Sequence, residues 1–197
     1  MTQAIAFKQL KKTMDSYSHL SDETWQTFQS FSKFRYVKKH SLIYQPGLIP
    51  DSFSFVVKGL VRAFAVGING QEYNKNFFAE NTFPGSMTAL LTSSPSLLGF
   101  ESLEQTVLIE IDFRRFRHLL FQKSDLMAFQ IQYLEKNWLL HKDAREIKLV
   151  QDEATARYMQ FKVEHPELLE RIPLYHVASH LGITPTQLSR IRKSLAK

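Results

Sequence analysis

The last twenty-seven residues, 171–197, constrain this chain more than any other stretch. They hold five of its 25 Lys/Arg and none of its 19 Asp/Glu, against a net charge of only +6 for all 197 residues. Within them, Leu174, Val177, Ala178 and Leu181 are spaced to line one face of a short helix. Gly182 follows, where a sharp exit needs a positive φ. Thr184-Pro185-Thr186-Gln187 then opens a second helix: Pro185 suits its first position, and Thr184 with Gln187 three residues on forms a capping box. Leu188, Ile191 and Leu195 recur at helical spacing and are expected to pack on the first helix. Thr184, Thr186, Gln187, Ser189, Arg190 and Lys193 are left on the cap and outer side. Two short helices around a tight turn, with a polar and basic outer face, suit DNA.

The rest of the chain changes period twice. Residues 5–33 have helical spacing, with Ser21-Asp22-Glu23-Thr24 as a helix start. Over residues 34–113, short apolar runs such as Ser52-Phe53-Ser54-Phe55-Val56-Val57 alternate with turn signals, among them Pro46-Gly47, Lys58-Gly59, Asn69-Gly70 and Pro84-Gly85. Asn69-Gly70 between two such runs predicts a hairpin. Many short strands predict an antiparallel jelly-roll barrel, ending at Thr106-Val107-Leu108-Ile109-Glu110-Ile111. Helical spacing then runs from 112 past 150 without Gly or Pro. Here Leu126, Tyr133, Asn137, Leu140, Ala144 and Ile147 fit a heptad seam, in which a polar Asn137 would favour a parallel, in-register pair. A second stripe, Ile131, Leu134 and Trp138, is expected to pack on the barrel. The fold class is therefore α+β, divided into a barrel domain (1–120), a long dimerisation helix (121–150) and a helix–turn–helix domain (151–197).

Composition excludes some chemistry. Cysteine is absent, so disulfides and thiolate metal sites are ruled out. No apolar run reaches transmembrane length and residues 1–4 lack a signal pattern, so no membrane partner and a cytoplasmic location are expected. No phosphate loop or nucleophile elbow occurs, and the chain is read as a non-enzyme. His176 and His180, four apart on one helix face, could suit a metal but lack the Glu of a metalloprotease motif; they are expected to face solvent or phosphate. A cupin-like enzyme would need a cluster of barrel histidines, and residues 34–113 contain His40 alone.

A small barrel, a long helix and a C-terminal helix–turn–helix, in that order, resemble the Crp/Fnr family of bacterial transcription regulators. Leu181-Gly182-Ile183-Thr184, Gln187-Leu188-Ser189-Arg190-Ile191 resembles that family's recognition signature. Pro46-Gly47 followed by Phe53-Ser54-Phe55-Val56-Val57-Lys58-Gly59-Leu60-Val61-Arg62 resembles its first barrel repeat. The resemblance implies a cyclic-nucleotide-binding-type barrel and a homodimer on double-stranded DNA, with Arg190 reading a guanine or a phosphate. It leaves room for RNA polymerase as a further partner. Thr186 stands where the family often has an acid, and the family's usual C-terminal wing is not expected here.

Cyclic-nucleotide binders of that family carry a phosphate cassette that starts with Gly-Glu and ends with Arg-Ser or Arg-Thr. Here Gly85 is kept, Ser86 replaces the Glu, and Ser96 and Leu97 lie at the Arg end; no Lys or Arg occurs between Lys75 and Arg114. A buried phosphate without a cation is very costly. A cyclic nucleotide is therefore not expected and no cofactor is assigned. Gly85, Ser86, Met87, Ser96 and Leu97 are kept as an effector pocket for a less charged ligand. A ligand-sensing module with secondary DNA binding is the alternative reading.

Overall fold

The computed structural model describes residues 1–140 and 153–195. Helix α1 (Gln3–Asp15) starts on Thr2, whose hydroxyl accepts the Ile5 N–H, and buries Ala6, Phe7, Leu10 and Met14 along one face. Helix α2 (Asp22–Ser30) starts on Ser21, whose hydroxyl accepts the Thr24 N–H, with Asp22 and Glu23 in its first turn. A side-chain cap and acids at the positive end of the dipole are what the sequence called for.

Seven strands follow: β1 (Ser32–Val37), β2 (Leu42–Tyr44), β3 (Ser52–Lys58), β4 (Val61–Val66), β5 (Glu72–Phe78), β6 (Leu98–Ser102) and β7 (Thr106–Asp112), with helix α3 (Met87–Thr92) before β6. The Asn69-Gly70 hairpin joins β4 to β5, with Gly70 at φ +77°. The strands do not close into the predicted barrel. They form two antiparallel sheets, β1-β7-β3 and β2-β6-β4-β5. One reason is that the free edge of β3 is already taken: its Ser54 and Val56 N–H groups donate to the Pro84 and Thr82 carbonyls. Side chains join the two sheets instead. Val37, Val56 and Leu108 from one meet Val61, Ala63 and Phe100 from the other.

Strands β3 and β7 of the first sheet are buried on both faces, whereas β1 at its edge is largely open. Phe53, Phe55 and Val57 of β3 and Val107, Ile109 and Ile111 of β7 point away from the second sheet into the helices, where they join Phe7, Leu10, Phe28 and Phe129. That is why six of the seven β3 residues are buried, Ser52 and Ser54 among them, and why Val56 and Val57 can stand side by side, since a strand covered on both sides needs no strict alternation. Each fully buried Phe contributes about 1.5–3 kcal/mol by area alone.

Helix α4 (Phe113–Leu120) is capped by Asp112, whose carboxylate accepts the Arg115 N–H at 2.9 Å. The single long helix expected from residue 112 is broken at 121–123, and α5 (Ser124–Leu134) begins anew. Asp125 in its first turn accepts the Ser21 N–H and the Thr24 hydroxyl, which ties α5 to the start of α2. A five-residue π turn (Glu135–Leu139) continues α5. Helix α6 (Ala154–Glu164) ends at His165-Pro166, a short 3-10 turn (Pro166–Leu168) follows, and α7 (Leu174–His180) and α8 (Pro185–Leu195) complete the chain. No described helix is long and apolar enough to cross a membrane.

Candidate nucleic-acid interface and its seat on the sheets

The C-terminal pair is built as its residues dictate. Val177, Ala178 and Leu181 of α7 are buried against Leu188 of α8, with Ile183 and Ile191 beside them. Leu174 and Leu195, expected in the same contact, stay about half exposed. Gly182 turns the chain at φ +68°. The capping box is present: the Gln187 N–H donates to the Thr184 hydroxyl at 3.2 Å, and the Thr184 N–H donates to the Gln187 side-chain oxygen at 2.9 Å. Thr184, Thr186, Gln187, Ser189, Arg190 and Lys193 are all exposed. The Gln187 amide oxygen is held by the cap, so only its NH₂ is left to contact a ligand. Among the described residues no carboxylate pairs with Arg190, Arg192 or Lys193.

The opposite side of α7 is seated on the outer face of the second sheet, and this corrects the reading of two histidines. His176 is buried and His180 half buried, so neither faces solvent or phosphate. Strand β5 lies at the sheet edge, where unpaired backbone groups need partners, and α7 supplies them. The Ser179 hydroxyl accepts the Asn74 N–H at 3.0 Å and donates to the Glu72 carbonyl at 3.1 Å, while His180 Nδ1 lies 3.2 Å from the Asn74 carbonyl. Phe77 packs edge-on against Phe161 and beside the His180 ring.

Arg171, counted in the sequence with the basic tail, is also part of this seat. Its guanidinium makes four hydrogen bonds of 2.9–3.0 Å, two to Glu80 and two to Glu104. Those bonds, first to Glu104 and then to Glu80, raise the Arg171 pKa. Burial pushes the Glu80 carboxyl up, but the Arg171 contact and the Gly59 N–H outweigh it and hold it below the usual range. Sequence reasoning missed Asn74, Glu80, Glu104 and this role of Arg171. Their partners across this seat lie 67 to 106 residues away, a separation no local pattern encodes.

Beneath α7, Arg62 of β4 is buried. Its Nε donates to Glu101 at 2.7 Å, one Nη to Asn74 Oδ1 at 3.0 Å and the other to Glu72 at 2.6 Å. Because Asn74 Oδ1 accepts from Arg62, its NH₂ must face His176, and it reaches Nδ1 at 3.0 Å and the His176 carbonyl at 3.2 Å. A donor facing Nδ1 requires a neutral ring with its proton on Nε2. Burial first, and then the Arg62 charge, pull the His176 pKa down to about 4, against smaller opposing pulls from Glu101 and Glu72. The unfolded or unseated histidine binds a proton near 6.5, so between roughly pH 6.5 and 4 the seated state holds fewer protons. Its stability is complete above that window and falls as the pH falls through it, by a few kcal/mol at most. Urea titrations at pH 8 and pH 5 should show this loss, and His176→Gln should remove most of the pH dependence. An unchanged slope in the variant would assign the effect to another group.

The five cassette residues do not converge. A Cβ on Gly85 would lie 2.6 Å from Phe53 Cβ, so this glycine serves close packing. Ser86 is buried ahead of α3. The Ser96 hydroxyl bonds to the Leu98 carbonyl and N–H within its own loop, and Leu97 is 87% exposed. Of the five, Met87 lines a cavity on the helical side of the first sheet.

The heptad seam is also placed differently. Leu126 is fully buried in the chain's own core. Tyr133 stacks among Tyr17, Phe83 and Phe129, and Asn137 donates to the Tyr17 hydroxyl. Leu126 and Tyr133 thus pack on the chain's own core, whereas Asn137 stays exposed. Leu140 is exposed, and Ala144 and Ile147 lie outside the described residues. The stripe left open is Met127, Ile131, Leu134 and Trp138, each 39–50% exposed. Its spacing of four, three and four is that of a coiled-coil seam. Three of its members had been expected to pack on the barrel.

Residues 34–123 match the family model described as cyclic nucleotide-binding domain. No curated protein matches the chain. Solved structures do. FixK2 from Bradyrhizobium japonicum aligns with a TM-score of 0.71 at 16% identity, over 84% of each chain. The regulator CLP of Xanthomonas campestris, described as responsive to c-di-GMP, aligns at 0.65 and 21% identity, over 89% of this chain and 92% of that one. The Thermus thermophilus catabolite activator protein aligns at 0.55 and 20%, over 90% and 84%. All three are Crp/Fnr regulators.

Proposed function

We propose, for a chain whose residues 34–123 match the cyclic nucleotide-binding domain model and whose fold aligns with those of FixK2 and CLP, a homodimeric, sequence-specific DNA-binding transcription regulator of the Crp/Fnr type that does not respond to cyclic AMP. One observation carries this reading: α8 presents Thr186, Ser189, Arg190 and Lys193 on an exposed face whose cations have no carboxylate partner among the described residues. In this reading α7–α8 is a helix–turn–helix and α8 enters the major groove. Arg190 is the long cation one turn from Thr186 and reads a base, with Ser189 and the Gln187 NH₂ assisting. Lys193 holds phosphate. Selection of duplexes from a random pool should yield one motif with two half-sites about one helical turn apart. Recovery of no motif, with equal binding to all duplexes, would contradict sequence specificity.

In this reading two helices pair through Met127, Ile131, Leu134 and Trp138, in place of the core-facing Leu126 and Tyr133 of the seam read from the sequence.

Cyclic AMP should give no saturable stabilisation at millimolar concentration. Neither Ser86 nor Ser96 offers a cation, and the buried Arg62 is already held by Glu72 and Glu101. A ligand at 100 times its dissociation constant would stabilise the fold by about 2.7 kcal/mol. A thermal shift of that size with cyclic AMP would overturn this part of the reading.

A further inference from the structure

The cavity that Met87 lines holds about 290 Å³. It lies between α1, α2, α3, α4, α5 and the first sheet, away from the edge where α7 is seated. Its volume is near the lower end of the roughly 300–1,000 Å³ of small-molecule sites. The depth of the cavity is lined by Phe28, Phe83, Phe116 and Phe129, all buried. These rings brace one another: Phe28 meets Phe116 edge-on at 6.1 Å, and Phe83 meets Phe129 at 6.2 Å. Such edge-to-face contacts hold the walls apart, and the space leaves the lining without dispersion partners on one side. Trp138, on the π turn, closes part of the mouth. π turns inside helices are frequent at functional sites.

The polar side chains of the lining are few, and among the described residues its one cation is Arg117. It stands on α4, whose sequence carries Arg114, Arg115, Arg117 and His118 and no acid. Among the described residues no carboxylate pairs with these arginines. The Arg117 guanidinium lies over the Phe121 ring at 5.1 Å, which orients it without neutralising it. A planar cation at the mouth of an aromatic-walled cavity suits a carboxylate held in bidentate fashion, with a flat apolar body inside.

We infer that this cavity binds a small aromatic carboxylate, with its ring between Phe83 and Phe116 and its carboxylate on Arg117. The site is distinct from the cassette residues Gly85, Ser86, Ser96 and Leu97. Leu134 and Trp138 belong both to the cavity wall and to the exposed stripe of α5 and the π turn, so occupancy bears on the helix pairing. The binding itself does not depend on the DNA reading.

The test is calorimetric titration of the full chain with 2-naphthoate, beside 2-naphthamide as its neutral counterpart and decanoate as an aliphatic anion. One saturable site at about millimolar ligand or below is expected for 2-naphthoate. Arg117→Gln should weaken it about tenfold, the size of one lost charge-assisted pair. The same change should leave the weaker binding of 2-naphthamide unaltered. Met87→Trp should fill the cavity and abolish binding without lowering the melting temperature. Absence of saturable binding to the wild type, or equal binding to both variants, overturns the site. Binding of decanoate in preference to 2-naphthoate overturns the aromatic class. Because duplex binding is measured separately, a failure here leaves the DNA reading standing.

Discussion

Met127→Glu combined with Ile131→Asp is expected to convert the dimer into folded monomers and to cut affinity for a two-half-site operator by about 10²–10⁴-fold. The fold should survive, because both side chains are substantially exposed in the chain itself and surface substitutions cost little. The partner surface should not survive, since two carboxylates would then enter an apolar seam without cations to meet them. The large loss on DNA is the lost effective concentration of the second half-site once the two recognition helices are no longer tethered. Met127 and Ile131 do not line the aromatic cavity, so ligand binding is left out of the comparison. Sedimentation should show a shift from dimer to monomer at micromolar concentration. Changing the core-facing residues Leu126 or Tyr133 should instead lower stability before it changes assembly. A double variant that remains dimeric would place the interface in residues 141–152 or elsewhere.

Arg171→Ala should destabilise the seated state by about 2–3 kcal/mol, the cost of leaving two carboxylates without their shared cation, discounted for their partial exposure. Glu80 and Glu104 stand on the sheet side and Arg171 between the 3-10 turn and α7, so the loss should be local. Hydrogen exchange should quicken over residues 154–180 and stay slow in β7. Arg171→Lys should recover only part of the effect, because an ammonium cannot match two carboxylates through a planar fork. The salt dependence of DNA binding should not change. If Arg171→Ala leaves stability intact and lowers the salt slope by about one unit, the residue is a phosphate contact and the clamp is secondary.

The local features were legible because each is written in adjacent residues. Ser21 and Thr184 cap helices, Asn69-Gly70 turns a hairpin, Gly182 exits a helix, and Leu188 recurs on the buried face of α8. The apolar run of β3 was read as a strand, but its burial on both faces was not, since only the helices packed above it decide that. Two members of the seam were misread for a related reason. Leu126 and Tyr133 have heptad spacing, yet spacing alone does not say which face of an apolar helix meets its own core. Tyr17 and Phe83, more than forty residues upstream, settle it. The seat of α7 was illegible altogether. Its polar face of His176, Ser179 and His180 has the pattern of a solvated surface, and becomes an interface only because β5 ends the sheet with unpaired backbone groups.

The central claim is that α8 reads DNA sequence through Arg190. The most direct measurement compares wild type, Arg190→Ala and Lys193→Ala on a selected operator and on a scrambled duplex, at two salt concentrations. Arg190→Ala should cost about 1–3 kcal/mol on the operator, relax the preference at one base pair and change the scrambled duplex little. Lys193→Ala should weaken both duplexes alike and lower the salt slope by roughly one unit. Equal losses on both duplexes for Arg190→Ala would contradict the claim and make this residue a phosphate contact.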